Sequence, residues 1–258
     1  MEDRKTVTVK GITGTNHIHR EDLVVREAAV TLYLNETEMV TLICSPTDLR
    51  ELCLGFLFAE GVIRSTQDIK SISLNQKDGL VWVETAQTVG AEKGFLKRHI
   101  ASCCGRGRAS FYFINDTDIK PVTSELLIST GDIVRLMAET EKRAALFNAT
   151  GGAHGAALSD GAAILAFFED VGRHNTLDKL AGWSLLNNEP ARDKVLLFSG
   201  RVSSEVLVKT ARLGVPVLVS RSAPTDLALE LAEKLNVTVV GFARGQRMNV
   251  YTHGQRIS

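Results

Sequence analysis

Residues 169–179 hold the densest set of side chains that could bind a ligand: two carboxylates, then arginine, histidine and asparagine after a glycine. An apolar run at 162–168 precedes them, and leucines at helical spacing follow. The cluster therefore lies where a predicted strand passes into a predicted helix, a usual place for a ligand site in an open α/β sheet. His174 and Asp178 are four residues apart and can meet on one helix face. A helix with a solvated, capped first turn is the alternative interpretation.

Later loops repeat this chemistry, because each combines arginine with small residues after a predicted strand. They are residues 199–201, 220–225 and 242–247. In a right-handed parallel sheet, these loops and 169–175 gather at one edge. Small-residue turns, helix N-termini and guanidinium groups together hold phosphates, so we predict a phosphorylated or nucleotide ligand. The fingerprints of dinucleotide oxidoreductases and P-loop NTPases are absent from the sequence.

The chain has four cysteines, of which two are adjacent. Cys103 and Cys104 lie among lysines, arginines and glycines, and positive neighbours stabilise the nucleophilic thiolate. A disulfide between them is disfavoured because one peptide link holds their Cα atoms ~3.8 Å apart, and a zinc site lacks a second ligand pair. The remaining alternatives are a reactive thiol and an unreactive surface cysteine. Cys44 and Cys53 lie on apolar stretches and are predicted to be buried.

Two predicted domains would position these groups. Residues 1–120 have the pattern of a smaller α+β domain, in which about 87–110 form a mobile loop that carries the paired cysteines. Residues 121–258 begin with a helix predicted over 124–148 and then alternate strand with helix, which favours an α/β fold with a mostly parallel sheet. The strands predicted in the first domain are 6–10, 22–34, 39–44, 69–74 and 80–85, and its helix is 47–59.

Composition excludes several classes of protein. Thirty basic and thirty acidic residues cancel in this chain of 258, so bulk charge provides no attraction to nucleic acid or to a membrane surface. No apolar run approaches the ~20 residues that span a bilayer, and the charged N-terminal segment lacks the apolar core of a signal peptide. We therefore expect a cytoplasmic protein with no nucleic-acid or membrane partner.

Several segments, in order along nearly the whole chain, resemble the formate dehydrogenase accessory sulfurtransferase family (FdhD/NarQ). The most specific is Asp170-Val-Gly-Arg-His-Asn175. The others are Glu51-Leu-x-x-Gly55-Phe-Leu-x-x-Glu60-Gly61, Ser102-x-Cys104-Gly105, Thr150-Gly-Gly-x-His154, Ser199-Gly-Arg201, Ser222-Ala-Pro-Thr225 and Asn249-Val-Tyr-Thr252. The family usually has Cys-Gly-x-Cys, and Gly107 occupies the position of its second cysteine.

The resemblance implies a sulfurtransferase that receives persulfide sulfur from a cysteine desulfurase and passes it to the molybdenum cofactor, bis(molybdopterin guanine dinucleotide), for formate dehydrogenase. Cys104 would carry the persulfide, and Cys103 could be an auxiliary thiol. The implied C-terminal domain is a cytidine-deaminase-like, three-layer domain, and a homodimer is expected. The family's cofactor-binding stretch maps onto Ala243, Arg244, Gly245, Gln246, Arg247 and Met248. The loops add Arg173, His174, Ser199, Arg201 and Ser222 as candidate cofactor-binding residues.

Three candidate functions arise from these residues and from the resemblance. The first is sulfur transfer through Cys104, with His174 and Asp170 as ligand-orienting groups or as internal hydrogen-bond partners. The second is a chaperone that binds the molybdenum cofactor without covalent sulfur chemistry. The third, a zinc-dependent deaminase, is excluded because His154 is followed by Gly-Ala and no Pro-Cys-x-x-Cys exists. No zinc or other resident metal is therefore expected.

Overall fold

The computed structural model describes residues 2–86 and 119–258, together with the backbone of 98–100. The helices are α1 (Leu49–Ala59), α2 (Thr130–Arg143), α3 (Ala145–Thr150), α4 (Arg173–Leu186), α5 (Ser204–Leu213) and α6 (Asp226–Leu235), with short 3-10 helices at Thr66–Asp68 and Gly254–Arg256. The strands are β1 (Arg4–Thr13), β2 (Asn16–Val25), β3 (Ala28–Leu34), β4 (Thr37–Cys44), β5 (Ile69–Asn75), β6 (Leu80–Thr85), β7 (Arg98–Ile100), β8 (His154–Ser159), β9 (Ile164–Asp170), β10 (Val195–Phe198), β11 (Val217–Ser220), β12 (Thr238–Arg244) and β13 (Arg247–Val250).

The N-terminal half contains two sheets. β1 and β2 form a two-stranded hairpin, and a five-stranded sheet has the order β5-β6-β3-β4-β7. The predicted strand over 22–34 is in fact divided between β2 and β3, which belong to different sheets. Alternation along β3 buries Val30, Leu32 and Leu34 in a core shared with α1. Burying each such side chain stabilises the fold by about 1.5–3 kcal/mol.

The C-terminal half is a three-layer arrangement around a six-stranded sheet with the order β13-β12-β11-β10-β8-β9. One face packs against apolar residues of α4, α5 and α6, and the other packs against Ile133, Leu136 and Met137 of α2. The strands at the centre of the sheet are almost fully buried because both faces are covered. The predicted α/β class is confirmed.

This sheet is mixed rather than mostly parallel, which corrects the prediction. β10, β11 and β12 are parallel, whereas β8 is antiparallel to both of its neighbours and β13 is antiparallel to β12. The cause is that short hairpin turns join β8 to β9 and β12 to β13, and a parallel pairing would need a much longer crossover. Since β9 still runs in the direction of β10, the strands β9 to β12 all end at one edge of the sheet, as predicted.

The long helix predicted over 124–148 is wrong in two respects. α2 begins only at Thr130, where the Ser129 hydroxyl accepts a hydrogen bond from the Asp132 amide as an N-cap. The helix then breaks at Ala144, whose backbone leaves the helical region, and α3 follows as a separate short helix. Before α2, Ile128 instead forms a parallel bridge with Ile257.

The two halves meet where α1 crosses α4 at very short range. A Cβ atom added to Gly55 would overlap the Asp178 carbonyl oxygen, and one added to Gly182 would overlap the Glu51 carbonyl oxygen. Only glycine allows backbones to approach so closely. Leu185 and Leu186 of α4 also pack into the N-terminal core. The division of the chain near residue 120 into separate domains stays a prediction.

Cys44 and Cys53 lie in this N-terminal core as free thiols with no exposed surface. Burial raises the pKa of the Cys44 thiol to about 12, and it also raises the pKa of Cys53. Both are therefore protonated and unreactive at neutral pH. Their predicted role as buried small hydrophobes is confirmed.

Candidate functional site

A cleft of about 540 Å³ lies at the edge of the six-stranded sheet where β9 to β12 end. Its volume is in the range of ligand-binding pockets. One wall is the start of β8 with the loops after β10 and β11 and the end of β12, and the other wall is formed by α2 and α3. The lining residues are Met137, Thr140, Glu141, Ala144, Phe147, Asn148, Gly151, Ala153, His154, Gly155, Phe167, Phe198, Ser199, Arg221, Ser222 and Arg244.

His154 and Ser199 form a hydrogen-bonded pair in the first wall. The Gly155 amide donates to Ser199 Oγ at 2.9 Å, and Ser199 Oγ lies 3.4 Å from His154 Nδ1. Burial lowers the pKa of His154, and the nearby Arg173 charge lowers it further. The imidazole is therefore neutral at pH 7. If the Ser199 hydroxyl donates to Nδ1, the ring proton resides on Nε2, which makes Nε2 a hydrogen-bond donor.

Two arginines supply positive charge to the cleft. Arg221 Nε lies 3.2 Å from Glu141 Oε1, so the pair connects the loop after β11 with α2. Arg244 Nε donates to the Arg221 carbonyl oxygen at 2.8 Å, and its guanidinium carbon lies 6.0 Å from the centre of the Phe242 ring. Guanidinium groups held in this way can accept phosphate or carboxylate oxygens.

A strained residue precedes Arg244 in β12. Phe242 has a φ of 52°, in the left-handed region that bulky residues rarely adopt. The pairing of β12 with β13 shifts register between Gly241 and Arg244, as a β-bulge does. The Phe242 amide donates to the Ser222 carbonyl oxygen at 3.1 Å, which ties the bulge to the neighbouring loop. Bulges redirect side chains beside functional sites, and this one places Arg244 in the cleft wall.

Asp170 acts as an internal hydrogen-bond partner. Its carboxylate has no exposed surface and lies 2.8 Å from the equally buried Lys179 ammonium. It also accepts hydrogen bonds from the Ser45 amide at 3.1 Å and from the Gly172 amide and Asn175 Nδ2 at 2.8 Å. Every acceptor direction of the carboxylate is thereby used within the protein. Of the two roles considered for Asp170, the structure favours the internal one.

Glu169, the other carboxylate of this stretch, holds α3. Its two oxygens accept the amide protons of Leu146 and Phe147, each at 2.8 Å. These are N–H groups of the first turn of α3, which have no partner within a short helix. A negative charge at that end is also favourable to the helix dipole. Glu169 therefore positions the segment that carries Phe147 into the cleft wall.

The expected meeting of His174 with Asp178 does not occur. The Asp178 carboxylate lies 2.7 Å from the Lys209 ammonium, and both groups are almost fully buried. His174 Nδ1 instead lies 3.6 Å from Glu205 Oε1. The two residues share a helix face, but Lys209 and Glu205 of α5 are the groups that pair with them.

The predicted ligand-binding residues are distributed unevenly. Ser199, Ser222 and Arg244 line the cleft, whereas Arg173, His174 and Arg201 are not among its lining residues. Ala243 is buried, Met248 is half-buried, and the remaining three, Gly245, Gln246 and Arg247, are exposed at the β12–β13 turn. Cys103 and Cys104, and most of the loop predicted at 87–110, lie outside the described residues.

Three ionisable lining residues, Glu141, His154 and Arg221, were not among the predicted site residues. His154 and Arg221 stand in segments that the sequence had marked, the Thr-Gly-Gly-x-His segment and the loop 220–225, but neither was assigned a role. Glu141 had no local signal because it looks like any charged residue on the exposed side of a helix. Its proximity to Arg221 depends on the packing of α2 against the sheet.

No helix within the described residues, 2–86 and 119–258, is long and apolar enough to cross a bilayer. No group of three or more histidine, cysteine, aspartate or glutamate side chains in the same ranges is arranged to hold a metal ion.

Comparisons with known proteins place this arrangement in a family. A protein from Halalkalibacterium halodurans named sulfur carrier protein FdhD is 46% identical over 255 residues, which cover 98% of this chain and 94% of that protein. A Bacillus subtilis protein of the same name is 46% identical over 239 residues, 92% of this chain and 91% of the relative. A crystal structure from Desulfotalea psychrophila, assigned as a formate dehydrogenase accessory protein, has a TM-score of 0.84 over 100% of both chains at 24% identity, which shows a shared fold. The model of the FdhD/NarQ family matches residues 25–258, and the chain therefore belongs to that family.

Proposed function

We propose that this chain is a cytoplasmic sulfur carrier in the maturation of formate dehydrogenase, with Cys104 as the persulfide-bearing residue. Its relatives at 46% identity are named sulfur carriers. Cys104 has the sequence environment of a stabilised thiolate, whereas Cys44 and Cys53 are buried with raised pKa values. Among the thiols considered, the pair Cys103 and Cys104 is therefore the one suited to nucleophilic chemistry.

The observation that carries the proposal is the position of β7, the strand that precedes these cysteines. β7 runs parallel to β4, and Ile100 pairs with Leu42. Ser45 follows the last residue of β4, and its amide donates a hydrogen bond to the Asp170 carboxylate at the end of β9. Asp170 in turn pairs with His154 of β8, which lines the cleft. Cys104 follows Ile100 by four positions in the sequence, and such a segment reaches at most about 14 Å. β7 is thus connected to the cleft residue His154 through β4, Ser45 and Asp170, which supports delivery of sulfur from Cys104 to the cleft.

In the loading step, the Cys104 thiolate attacks the outer sulfur of a cysteine persulfide on a cysteine desulfurase. A new sulfur–sulfur bond forms at Cys104 Sγ while the bond within the donor persulfide breaks. The desulfurase cysteine leaves as a thiolate and takes up a proton, so no net oxidation occurs. Cationic neighbours of Cys104 favour this step because they stabilise the attacking thiolate.

In the delivery step, the sulfur acceptor is the molybdenum cofactor, bis(molybdopterin guanine dinucleotide), bound as cargo. The terminal sulfur leaves Cys104 at the oxidation level of sulfide, the two electrons come from reduced molybdenum in the acceptor, and Cys104 returns to a thiolate. A cleft of about 540 Å³ is suited to one nucleotide arm of this large cofactor, with the phosphates near Arg221 and Arg244. The protein contributes position more than acid–base chemistry.

The partners that follow from this proposal are a cysteine desulfurase, the apoprotein of formate dehydrogenase and a second copy of the chain in a homodimer. The proposal includes no nucleic-acid or membrane partner. The cofactor-binding residues proposed from the resemblance also include Arg173, His174, Arg201 and the β12–β13 turn. Those residues would have to contact parts of the cofactor that extend beyond the cleft.

Intact-mass spectrometry tests the carrier role directly. The chain is incubated with a cysteine desulfurase and cysteine, and its mass is compared with that of the Cys104→Ala and Cys103→Ala variants. We expect the chain to gain one sulfur atom, the Cys103→Ala variant to keep this gain, and the Cys104→Ala variant to lose it. Sulfur retained in Cys104→Ala would overturn the assignment of the carrier residue.

A cofactor chaperone without covalent sulfur transfer is the second candidate, because Gly107 replaces the second cysteine of the family pattern and the described lining of the cleft includes two arginines that could bind a ligand. The two functions are separated in a strain that lacks its own carrier. A chaperone with Cys104→Ala would still restore active formate dehydrogenase, whereas a sulfur carrier with this substitution would not.

A further inference from the structure

One ion pair spans the cleft, and its carboxylate has no role in the proposed binding of the cofactor. Arg221 Nε lies 3.2 Å from Glu141 Oε1, and both side chains line the cleft. Arg221 belongs to the loop after β11, whereas Glu141 belongs to the last turns of α2. The side chains are 38% and 42% exposed, so solvent and ligands can reach the pair.

The backbone of Arg221 is fixed although its side chain is accessible. Its amide donates to the Phe198 carbonyl oxygen at 3.0 Å, and its carbonyl oxygen accepts from Arg244 Nε at 2.8 Å. The guanidinium can therefore exchange one partner for another without movement of the loop. The two arginines are also coupled, because the hydrogen bond from Arg244 Nε holds the backbone of Arg221.

We infer that Arg221 is the main anion-binding side chain of this cleft. In the absence of ligand its guanidinium is paired with the Glu141 carboxylate, and a phosphate group of the ligand displaces that carboxylate. This inference rests on the proposed nucleotide-binding role of the cleft and adds its regulation. A carboxylate and a phosphate offer a guanidinium the same kind of oxygen acceptor, so they compete for it. Glu141 thus weakens the binding of anionic ligands and disfavours ligands without a phosphate group able to replace it.

The strength of this competition follows from the exposure of the pair. Ion pairs that are partly exposed are weak, so release of Arg221 in Glu141→Gln is expected to tighten binding of an anionic ligand by about 2- to 5-fold. Loss of the guanidinium in Arg221→Gln removes a charge-assisted contact, which is expected to weaken binding by about 10-fold.

The experiment measures the dissociation constant of guanosine diphosphate by calorimetry in four chains: the unsubstituted chain, Glu141→Gln, Arg221→Gln and the double variant. Glu139→Gln is the matched control, because Glu139 lies on the same helix and pairs with Arg143 outside the cleft. Uncharged guanosine serves as the ligand control. Thermal unfolding of each variant establishes that it is folded.

We expect Glu141→Gln to tighten diphosphate binding beyond any effect of Glu139→Gln, to leave guanosine binding unchanged, and to lose this advantage in the Arg221→Gln background. If Glu141→Gln increased the affinity for the diphosphate equally with and without Arg221, Glu141 would act only by general charge repulsion, and the inference would be overturned. Failure of both the unsubstituted chain and Glu141→Gln to bind the diphosphate would overturn it together with the role of the cleft. The assay for sulfur loading of Cys104 requires no ligand in the cleft, so it tests the carrier role independently of this inference.

Discussion

Asp170 and Lys179 form an ion pair with no exposed surface, at 2.8 Å, between the end of β9 and the middle of α4. The same carboxylate accepts the Ser45 amide from the N-terminal half, and Lys179 also donates to Thr47 Oγ1 at 3.4 Å. The most specific sequence segment of the chain therefore joins its two halves. Breaking a buried pair is costly because the remaining charge stays buried without its partner.

Replacement of Lys179 is the first test of this junction. Lys179→Met leaves the Asp170 carboxylate without its counter-ion, and we expect the free energy of unfolding to fall by about 3–5 kcal/mol. Urea denaturation measures this loss. Lys77→Met is the control because Lys77 is exposed, and it should change stability by less than about 0.5 kcal/mol. Equal effects of the two substitutions would contradict the structural role of the pair.

The contact between α1 and α4 predicts a strong effect of a single methyl group. Gly182→Ala would place a Cβ atom against the Glu51 carbonyl oxygen, so the helices must separate. Overpacking of this kind destabilises a protein by about 1–3 kcal/mol or more. Gly131→Ala, in the first turn of α2, would place its Cβ in ordinary contact with the Ser129 hydroxyl at 3.7 Å and should stabilise the chain by up to about 1 kcal/mol. Thermal unfolding of the two variants should shift in opposite directions.

The Glu169 cap predicts a local loss of order. Glu169→Ala removes the acceptor of the Leu146 and Phe147 amides, and a lost helix cap costs about 1 kcal/mol. Hydrogen exchange of those two amides should become faster, while the amides of α5 should keep their protection. Unchanged exchange at both amides would show that α3 does not depend on this carboxylate.

His154 predicts a pH dependence of stability. Burial lowers its pKa in the folded protein below the ordinary value of 6.5, so between these two pKa values the unfolded chain binds more protons than the folded one. Its contribution to stability is therefore complete above pH 6.5 and is lost as pH falls below that value. In urea denaturation from about pH 8 to pH 5, His154→Gln should lack this component. A variant at the exposed His17 should retain it.

Substitutions of Arg244 and Arg201 distinguish a phosphate site in the cleft from one at the other loops. Arg244 lines the cleft and Arg201 does not, although both are predicted from the sequence to bind the cofactor. Arg244→Gln should weaken guanosine diphosphate binding by about 10-fold through loss of a charge-assisted contact, whereas Arg201→Gln should change it by less than about 2-fold. A larger effect of Arg201→Gln would move the phosphate site away from the cleft.

Local patterns were sufficient for most helices and strands of the C-terminal half. The spacing predicts helices over 173–187, 203–213 and 224–235. The first of these is α4, and N-caps at Ser203 and Thr225 begin α5 and α6 close to the predicted positions. Apolar spacing reports which face of an element is buried, and capping residues report where a helix begins. The gathering of loops at one sheet edge followed from strand direction, and Ser199, Ser222 and Arg244 lie in the cleft as a result.

Long-range partners decided what local patterns could not. A continuous helix across Ala144 was reasonable from spacing alone, but Glu169 takes the amides of Leu146 and Phe147 and the helix is divided there. The pairing of His174 with Asp178 was equally reasonable, but Lys209 provides Asp178 with an opposite charge.

The amino-acid sequence alone determined the family, the α/β class, the burial of Cys44 and Cys53, and the sheet edge at which polar loops meet, because each of these depends on residue type and spacing within short segments. The tertiary structure alone decided that Asp170 is an internal ion-pair partner and that Glu141 faces Arg221 across the cleft. Those pairs join residues far apart in the chain, and only the packing of α2, α4 and the sheet brings their charges within contact distance.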